Sequence, residues 1–317
     1  MKAILARDGA AALAEVPIPA IGPGELLLRT EACGLCGTDV MKLDTRAKDA
    51  VLGHELCGVV EKAGAGAPFA PGERVVVSHH VPCLSCHYCA KGQESMCRQF
   101  KATNIDPGGF AEFVRIPAPH ARHAAFKVPA GLDPLAASQM EPLACVLRNL
   151  RRVGVEKGDR VGIVGLGAVG QMTGQMLKVL GAEAFGLDLD PKRSRAFERW
   201  GAAHLERELD AIVFTAGTPK LVNDLLPNLR DGGAVNVFAS FHPDPVLPLD
   251  LNQVYHRELT VVSSYSPCLS DLKAAFDLIA SRRFVPETPL TFPFASFDAA
   301  VAAVKRRETL KSVLVPA

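Results

Sequence analysis

Gly165-Leu166-Gly167-Ala168-Val169-Gly170 is the segment that leaves this chain the least structural freedom. The pattern G-x-G-x-x-G is weak on its own, because glycine-rich turns are common. Here it follows Arg160 to Val164, an apolar run without alternation, as a strand buried on both faces requires. A helical stretch from about Ala168 to Leu180 comes next, then a second apolar strand, Ala184 to Leu187, ending at Asp188. In such a unit the first glycine permits the tight turn and the second lets backbone approach a pyrophosphate. The third allows close helix–strand packing, and the helix N-terminus attracts the phosphate charge. A further helix from Lys192 to Trp200, opened by Pro191, and apolar strands at Asp210–Ala216 and Ala234–Ala239 continue the alternation. From about Glu156 onward the chain therefore reads as a doubly wound parallel sheet that binds a dinucleotide.

Asp188 lies eighteen residues after Gly170, where a carboxylate can bind a ribose 2′-hydroxyl. The same carboxylate repels a 2′-phosphate, which favours NAD over NADP. Arg193, just beyond, pulls the other way, because it could accommodate a phosphate.

The first ~145 residues have a different texture, with short β-type runs set apart by glycine and proline. Leu26–Thr30, Gly58–Lys62, Arg74–Val77 and Ala111–Val114 read as strands, and Pro71-Gly72-Glu73 and Pro107-Gly108-Gly109 as turns. These predict a β-rich domain. The residues from Pro286 on return to that texture and are expected to pack back onto it.

Nine cysteines need an explanation in a chain long enough to build its core without disulfides. Cys83-x2-Cys86-x2-Cys89-x7-Cys97 places four thiols within fifteen residues. That spacing closes a tetrahedron around zinc at Zn–S distances of about 2.3 Å and leaves no open position, so the site is structural. Ligand type alone does not exclude iron. His87 lies inside the cluster and is superfluous if all four cysteines bind.

Upstream, Cys36-Gly37-Thr38-Asp39 follows one predicted strand and Gly53-His54-Glu55 follows the short run Ala50-Val51-Leu52. A thiolate, an imidazole and a carboxylate with room for water make a catalytic zinc site. Zinc there lowers the pKa of bound water or alcohol from about 15.7 towards 7.

Charge and hydropathy narrow the function classes. Lys+Arg is 35 against Asp+Glu 34, without the basic excess that nucleic-acid binding needs. The opening Met1-Lys2-Ala3-Ile4-Leu5-Ala6-Arg7-Asp8 has too short an apolar run for a signal peptide. No run of eighteen apolar residues predicts a membrane span. The default compartment is then reducing cytosol, where clustered cysteines hold metal.

Together, Cys36-Gly37-Thr38-Asp39, Gly53-His54-Glu55, the four-cysteine lobe, Glu141-Pro142-Leu143 and the Gly165–Gly170 turn resemble the zinc-dependent medium-chain dehydrogenases, and within them the sorbitol, threonine and polyol dehydrogenase branch. They occur in family order over most of the chain. The resemblance implies a GroES-like catalytic domain over 1–148 and 286–317, carrying the lobe at about 83–97, and a Rossmann NAD-binding domain over 149–285. It implies two zinc ions per chain and a homodimer or homotetramer. It makes Cys36 and His54 zinc ligands, Asp39 the carboxylate that orients His54, and Thr38 the hydroxyl that takes the alcohol proton. Glu55 or Glu141 completes the catalytic zinc, with the choice left open. Lys311 falls near where relatives place a basic residue beside the cofactor phosphates. The implied reaction is hydride transfer between NAD and a secondary alcohol on a polyol, sugar, amino-alcohol or cyclitol. The alternatives are a biosynthetic reductase acting on a ring or larger hydroxyalkyl ketone, a non-catalytic NAD-binding relative, and a zinc-free quinone reductase-like member.

Two departures stand out. Relatives often carry a histidine five residues after the zinc cysteine as a late proton relay, and here that residue is Met41. Asp210 comes only nine positions after Gly201, where relatives have a further strand and helix, so the cofactor sheet is expected to be trimmed on that side. Substrate choice is expected to depend on the loops at 43–51, His79-His80 and 241–248.

Overall fold

The computed structural model describes residues 1–7, 9–44, 49–241, 246 and 249–316. The chain divides into two compact units, Met1–Pro142 with Pro267–Ala317, and Leu143–Ser266.

The first unit opens with the antiparallel hairpin β1 (Lys2–Arg7) and β2 (Ala10–Glu15), followed by β3 (Leu26–Gly34) and the two-residue β4 (Ala50–Val51), which pairs with β1. Then come β5 (Glu55–Ala63), β6 (Arg74–Ser78), β7 (Phe113–Ile116) and β8 (Ala125–Lys127). The Pro71-Gly72-Glu73 segment makes the turn into β6, with Gly72 at φ +88° and Glu73 Oε2 accepting the Ala70 N–H at 2.9 Å. Apolar residues of β3, β5, β6 and β7, among them Leu26, Leu28, Leu56, Val75, Val77, Val114 and Ile116, are buried with Phe110 in one core. Each such side chain contributes about 1.5–3 kcal/mol on burial.

The second unit holds β9 (Arg160–Val164), β10 (Glu183–Leu187), β11 (Leu209–Phe214), β12 (Leu229–Val237) and β13 (Thr260–Ser263). They form one parallel sheet in the order β10-β9-β11-β12-β13. Outside β10, a full third strand is replaced by a single bridge. The Ala202 N–H bonds Ala184 O at 2.9 Å, and the Gly186 N–H bonds Ala202 O at 2.7 Å. Gly201 makes this approach possible, since a Cβ there would lie 2.0 Å from Ala184 O. The sheet is trimmed where the short Gly201–Asp210 spacing placed the trimming.

The chain then returns to the first unit through the helix Leu269–Ala280, β14 (Leu290–Pro293), the helix Phe297–Lys305 and β15 (Ser312–Val315). β14 pairs with β15, and β15 pairs antiparallel with β3. The two compact units thus divide at 142/143 and 266/267, against the sequence-based 148/149 and 285/286. Helix Leu269–Ala280 is fastened to the cysteine lobe, which explains why it clusters with the first unit. Glu94 Oε2 accepts the Leu269 N–H at 2.8 Å, and the Cys268 thiol donates to Gly92 O at 3.4 Å. Among the described residues no helix is long and apolar enough to cross a membrane.

Candidate active site

Strand pairing assembles the first cluster. β3 ends at Gly34 and β5 starts at Glu55, and the antiparallel register sets these two residues opposite each other. Cys36, just after β3, is thereby brought beside His54 and Glu55. One donor atom from each of the three lies within 4.8 Å of the others. Gly34 is a packing requirement, because a Cβ there would fall 1.9 Å from Glu55 Oε2.

Asp39 ties this corner together from the first turn of the helix Gly37–Asp44, where a carboxylate also suits the helix dipole. It is buried, accepts the Cys36 N–H at 3.1 Å and the Gly53 N–H at 3.4 Å, and holds His54 Nδ1 at 3.2 Å. Burial pushes the Asp39 carboxyl up, but His54 and the Cys36 N–H outweigh it and hold the pKa below the ordinary value. Burial likewise pushes His54 down, while Asp39 and the Cys36 side chain raise it well above the usual imidazole range. Asp39 claims the Nδ1 proton, which leaves Nε2 as the lone-pair donor a metal needs. Thr38 is exposed in the same helical turn, and Met41 follows it on the same face, 41% exposed.

Glu141 is buried in the first turn of the helix Met140–Val153 and stands outside the group of three. Lys311, expected near the cofactor phosphates, is 8% exposed and its Nζ donates to Glu55 Oε1 at 2.6 Å. Burial lowers the ammonium's pKa, but Glu55, Cys36 and Glu141 more than offset this and raise it. Sequence reasoning missed this pairing; the signal was only a lone lysine directly ahead of an apolar strand.

His79 and His80 extend the imidazole cluster. The His54 and His79 rings lie 4.7 Å apart and the His79 and His80 rings 3.9 Å apart. Burial, together with the neighbouring His54 and His80, pushes His79 well below the usual range. His80 is pushed to about 4, chiefly by burial. Both are neutral at pH 7. Of the other expected substrate-side loops, residues 45–48, 242–245, 247 and 248 lie outside the described residues.

The second cluster is the lobe. Cys83, Cys86, Cys89 and Cys97 bring their sulfurs within 4.8 Å of one another. The Cys83–Cys89 and Cys86–Cys89 sulfurs are 3.9 and 3.5 Å apart. A tetrahedron with Zn–S bonds of about 2.3 Å has edges of about 3.8 Å, so the lobe fits zinc closely. The thiols are unequal without a metal. Hydrogen bonds from the Ser85 backbone and side chain lower Cys83 to about 6, whereas burial and the Cys86 and Cys83 thiols raise Cys89 to about 12. A cation is what would allow all four to ionise together. His87 stacks edge-on against Tyr88, outside the ligand group.

In the second unit, Gly165 adopts φ +91°, Gly167 caps the helix Ala168–Leu180, and Ala168 and Val169 form its first turn. Gly170 packs tightest, since a Cβ there would meet Gly165 O at 2.0 Å. This is backbone and cannot yield. Gly170→Ala is therefore expected to disrupt the turn, destabilising the protein by about 1–3 kcal/mol and weakening dinucleotide binding. Thermal unfolding with and without cofactor checks it, and unchanged cofactor stabilisation would count against this packing role.

Asp188 Oδ2 accepts the Leu166 N–H at 2.6 Å and Oδ1 the Asp190 N–H at 2.8 Å. The carboxylate thus shapes the turn and keeps its remaining lone pairs for a ligand. Arg193 lies against Gly167, 4.0 Å from Asp188, with its Nε buried and unpartnered.

Comparison with known proteins identifies the family. The family model of the alcohol dehydrogenase GroES-like domain matches residues 22–130. The chain is 31% identical to D-altritol 5-dehydrogenase of Agrobacterium fabrum, over 81% of this chain and 82% of the relative. It is 28% identical to L-threonine 3-dehydrogenase of Bacillus subtilis, over 100% of this chain and 99% of the relative. A Sinorhizobium meliloti protein described as a zinc-binding dehydrogenase and solved with NADP bound superposes with a TM-score of 0.89 at 27% identity, covering 99% of both chains. The chain belongs to the zinc-dependent medium-chain dehydrogenases of the alcohol dehydrogenase superfamily.

Proposed function

We propose that this protein is an NAD-dependent zinc dehydrogenase that moves a hydride between a secondary alcohol and the nicotinamide ring. The observation that carries the reading is the convergence of Cys36, His54 and Glu55, oriented by Asp39, in a chain that also holds a complete dinucleotide turn. Relatives named for altritol, threonine and sorbitol support a polyol, sugar, amino-alcohol or cyclitol substrate.

Cys36, His54 and a carboxylate would hold one zinc ion, and the four-cysteine lobe a second. The catalytic ion, when bound, supplies a Lewis acid that makes the substrate hydroxyl acidic near neutral pH. Cys36 and His54 position that hydroxyl, and Asp39 keeps His54 in the required tautomer. Thr38 accepts the hydroxyl proton. Met41 cannot carry it further, so the relay passes to the cofactor ribose or to water. The carbinol hydrogen leaves as hydride for the nicotinamide. In the reverse direction the same groups reduce a ketone.

Asp188 is assigned to the ribose and favours NAD, while Arg193 covers the phosphate side. Removing a charged hydrogen-bond partner costs about 1.5–3 kcal/mol. Asp188→Ala should therefore weaken NAD about ten- to hundredfold and narrow its advantage over NADP, read from KM for both cofactors. Full NAD preference in that variant removes Asp188 from the ribose.

We assign a reducing, cytoplasmic location, because clustered cysteines in such a compartment hold metal. We assign a homodimer or homotetramer, to be checked by light scattering. The deciding experiment is a panel of polyols, threonine and cyclitols with NAD, followed by NADH absorbance, alongside metal analysis. Two zinc ions per chain and turnover are expected. No NADH formation and no NAD binding by calorimetry would overturn the reading, and a single zinc held by the lobe would favour the non-catalytic relative.

A further inference from the structure

A clasp at the neck of the cysteine lobe leads to the first cluster. The lobe opens at Cys83, three residues after His80, and closes at Cys97, the N-cap of the short helix Arg98–Ala102. That helix and Thr103 fold back over the entry segment. Gln99 Nε2 donates to Pro82 O at 3.2 Å, and Thr103 Oγ1 accepts the Val81 N–H at 3.1 Å. The Thr103 carbonyl accepts a hydrogen bond from His80 Nδ1 at 2.5 Å, and the Phe100 ring lies 4.9 Å from the His80 ring. A carbonyl only accepts, so this bond fixes both the tautomer and the orientation of His80.

Ring contacts continue inward. The His80 ring packs on His79, and the His79 ring packs on His54. His120 Nε2 holds the His79 carbonyl at 3.0 Å from another side. Asp39 fixes the His54 ring at Nδ1, and His79 supports the ring beyond that bond. Close-packed groups transmit displacement, so slack in the clasp reaches His54 through rings in contact. Zinc in the lobe would join Cys83 to Cys97 and hold the two arms of the clasp in register. With the lobe empty, the arms are held by hydrogen bonds and packing alone.

We propose that Thr103 is a positioning residue that couples the two candidate metal sites, so that a filled lobe fixes the orientation of His54. This rests on the zinc reading given above. The lobe then acts on the reaction centre as well as on stability, although it contributes no donor there.

The test is Thr103→Val in the zinc-loaded protein. Thr103→Ser, which keeps the hydroxyl, and Gln99→Leu, which drops another bond of the clasp, are read in parallel. Zinc release to a chromophoric chelator is followed, and the phase that His54→Ala lacks belongs to the first cluster. Thr103→Val should speed that phase about tenfold, and Thr103→Ser should restore the wild-type rate. Gln99→Leu should move it in the same direction as Thr103→Val. Cys86→Ser, with the lobe empty, should speed the same phase although every donor of the first cluster is intact. Joining Thr103→Val to Cys86→Ser should add little, because both loosen one route. A threonine that merely supports the lobe would speed release of the lobe zinc and leave the first-cluster phase unchanged, which overturns the proposal. A first-cluster phase that ignores Cys86→Ser also overturns it, as does a double variant in which the two effects multiply. Should Thr103→Val fail to fold, Gln99→Leu and Cys86→Ser decide by the same readout. If the wild-type protein carries only the lobe zinc, the metal reading falls and this proposal with it. Two ions whose release ignores the clasp overturn the proposal alone.

Discussion

His54→Ala and Cys36→Ala are each expected to lower kcat by about a thousandfold or more while leaving a folded protein that keeps one zinc per chain. Both side chains stand at strand ends and not inside the apolar core: Cys36 follows β3 and is partly exposed, and His54 immediately precedes β5. Truncating either removes a donor from a group of three without opening a cavity among Leu26, Leu56 and Phe110. The proposed Lewis-acid chemistry depends on these donors, so the loss is expected to fall on kcat. Metal analysis, circular dichroism and steady-state kinetics on the same preparations check the three parts. A variant that keeps both ions and a tenth of its activity would show that the metal is held elsewhere.

Cys86→Ser is expected to empty the lobe and lower stability without touching the donors of the first cluster. A cross-link that closes a fifteen-residue loop contributes about 3 kcal/mol, and the lobe from Cys83 to Cys97 closes a loop of that length. The damage should spread along two identified bonds. Glu94 and Gly92 lie inside the lobe and hold the start of the helix Leu269–Ala280. Hydrogen exchange should therefore show loss of protection in residues 268–272 as well as in 83–97, together with a lower melting temperature. An unchanged melting temperature after complete loss of that zinc would make the lobe dispensable for folding.

What could be read from residues alone was local. The Gly165–Gly170 turn, the buried strand before it and the Cys83–Cys97 spacing are short-range patterns, and each stands where it was placed. The trimmed sheet was legible because the short segment from Gly201 to Asp210 cannot hold a strand and a helix. β12 starts at Leu229, five residues ahead of the predicted Ala234, because a register shift opposite Leu209–Ala211 absorbs Arg230–Gly233. The helix Gly37–Asp44 went unread because its polar residues carry no strong apolar period. The tie between Lys311 and Glu55 spans 256 residues and exists only after β15 has paired with β3. No local pattern encodes a contact of that range.

That range has a consequence for how the molecule is made. Cys36, His54 and Glu55 leave the ribosome early, and at 5–20 residues per second Lys311 follows roughly 13–50 s later. During that interval the ion-pair partner of Glu55 does not yet exist, and the edge of β3 that β15 will cover stands open, the kind of unpaired strand edge that invites aggregation. The unit from Leu143 to Ser266, by contrast, is continuous in the chain and has every strand of its sheet before synthesis ends. The domain begun first is the one completed last, so the nascent chain's most vulnerable surface lies at its future catalytic centre.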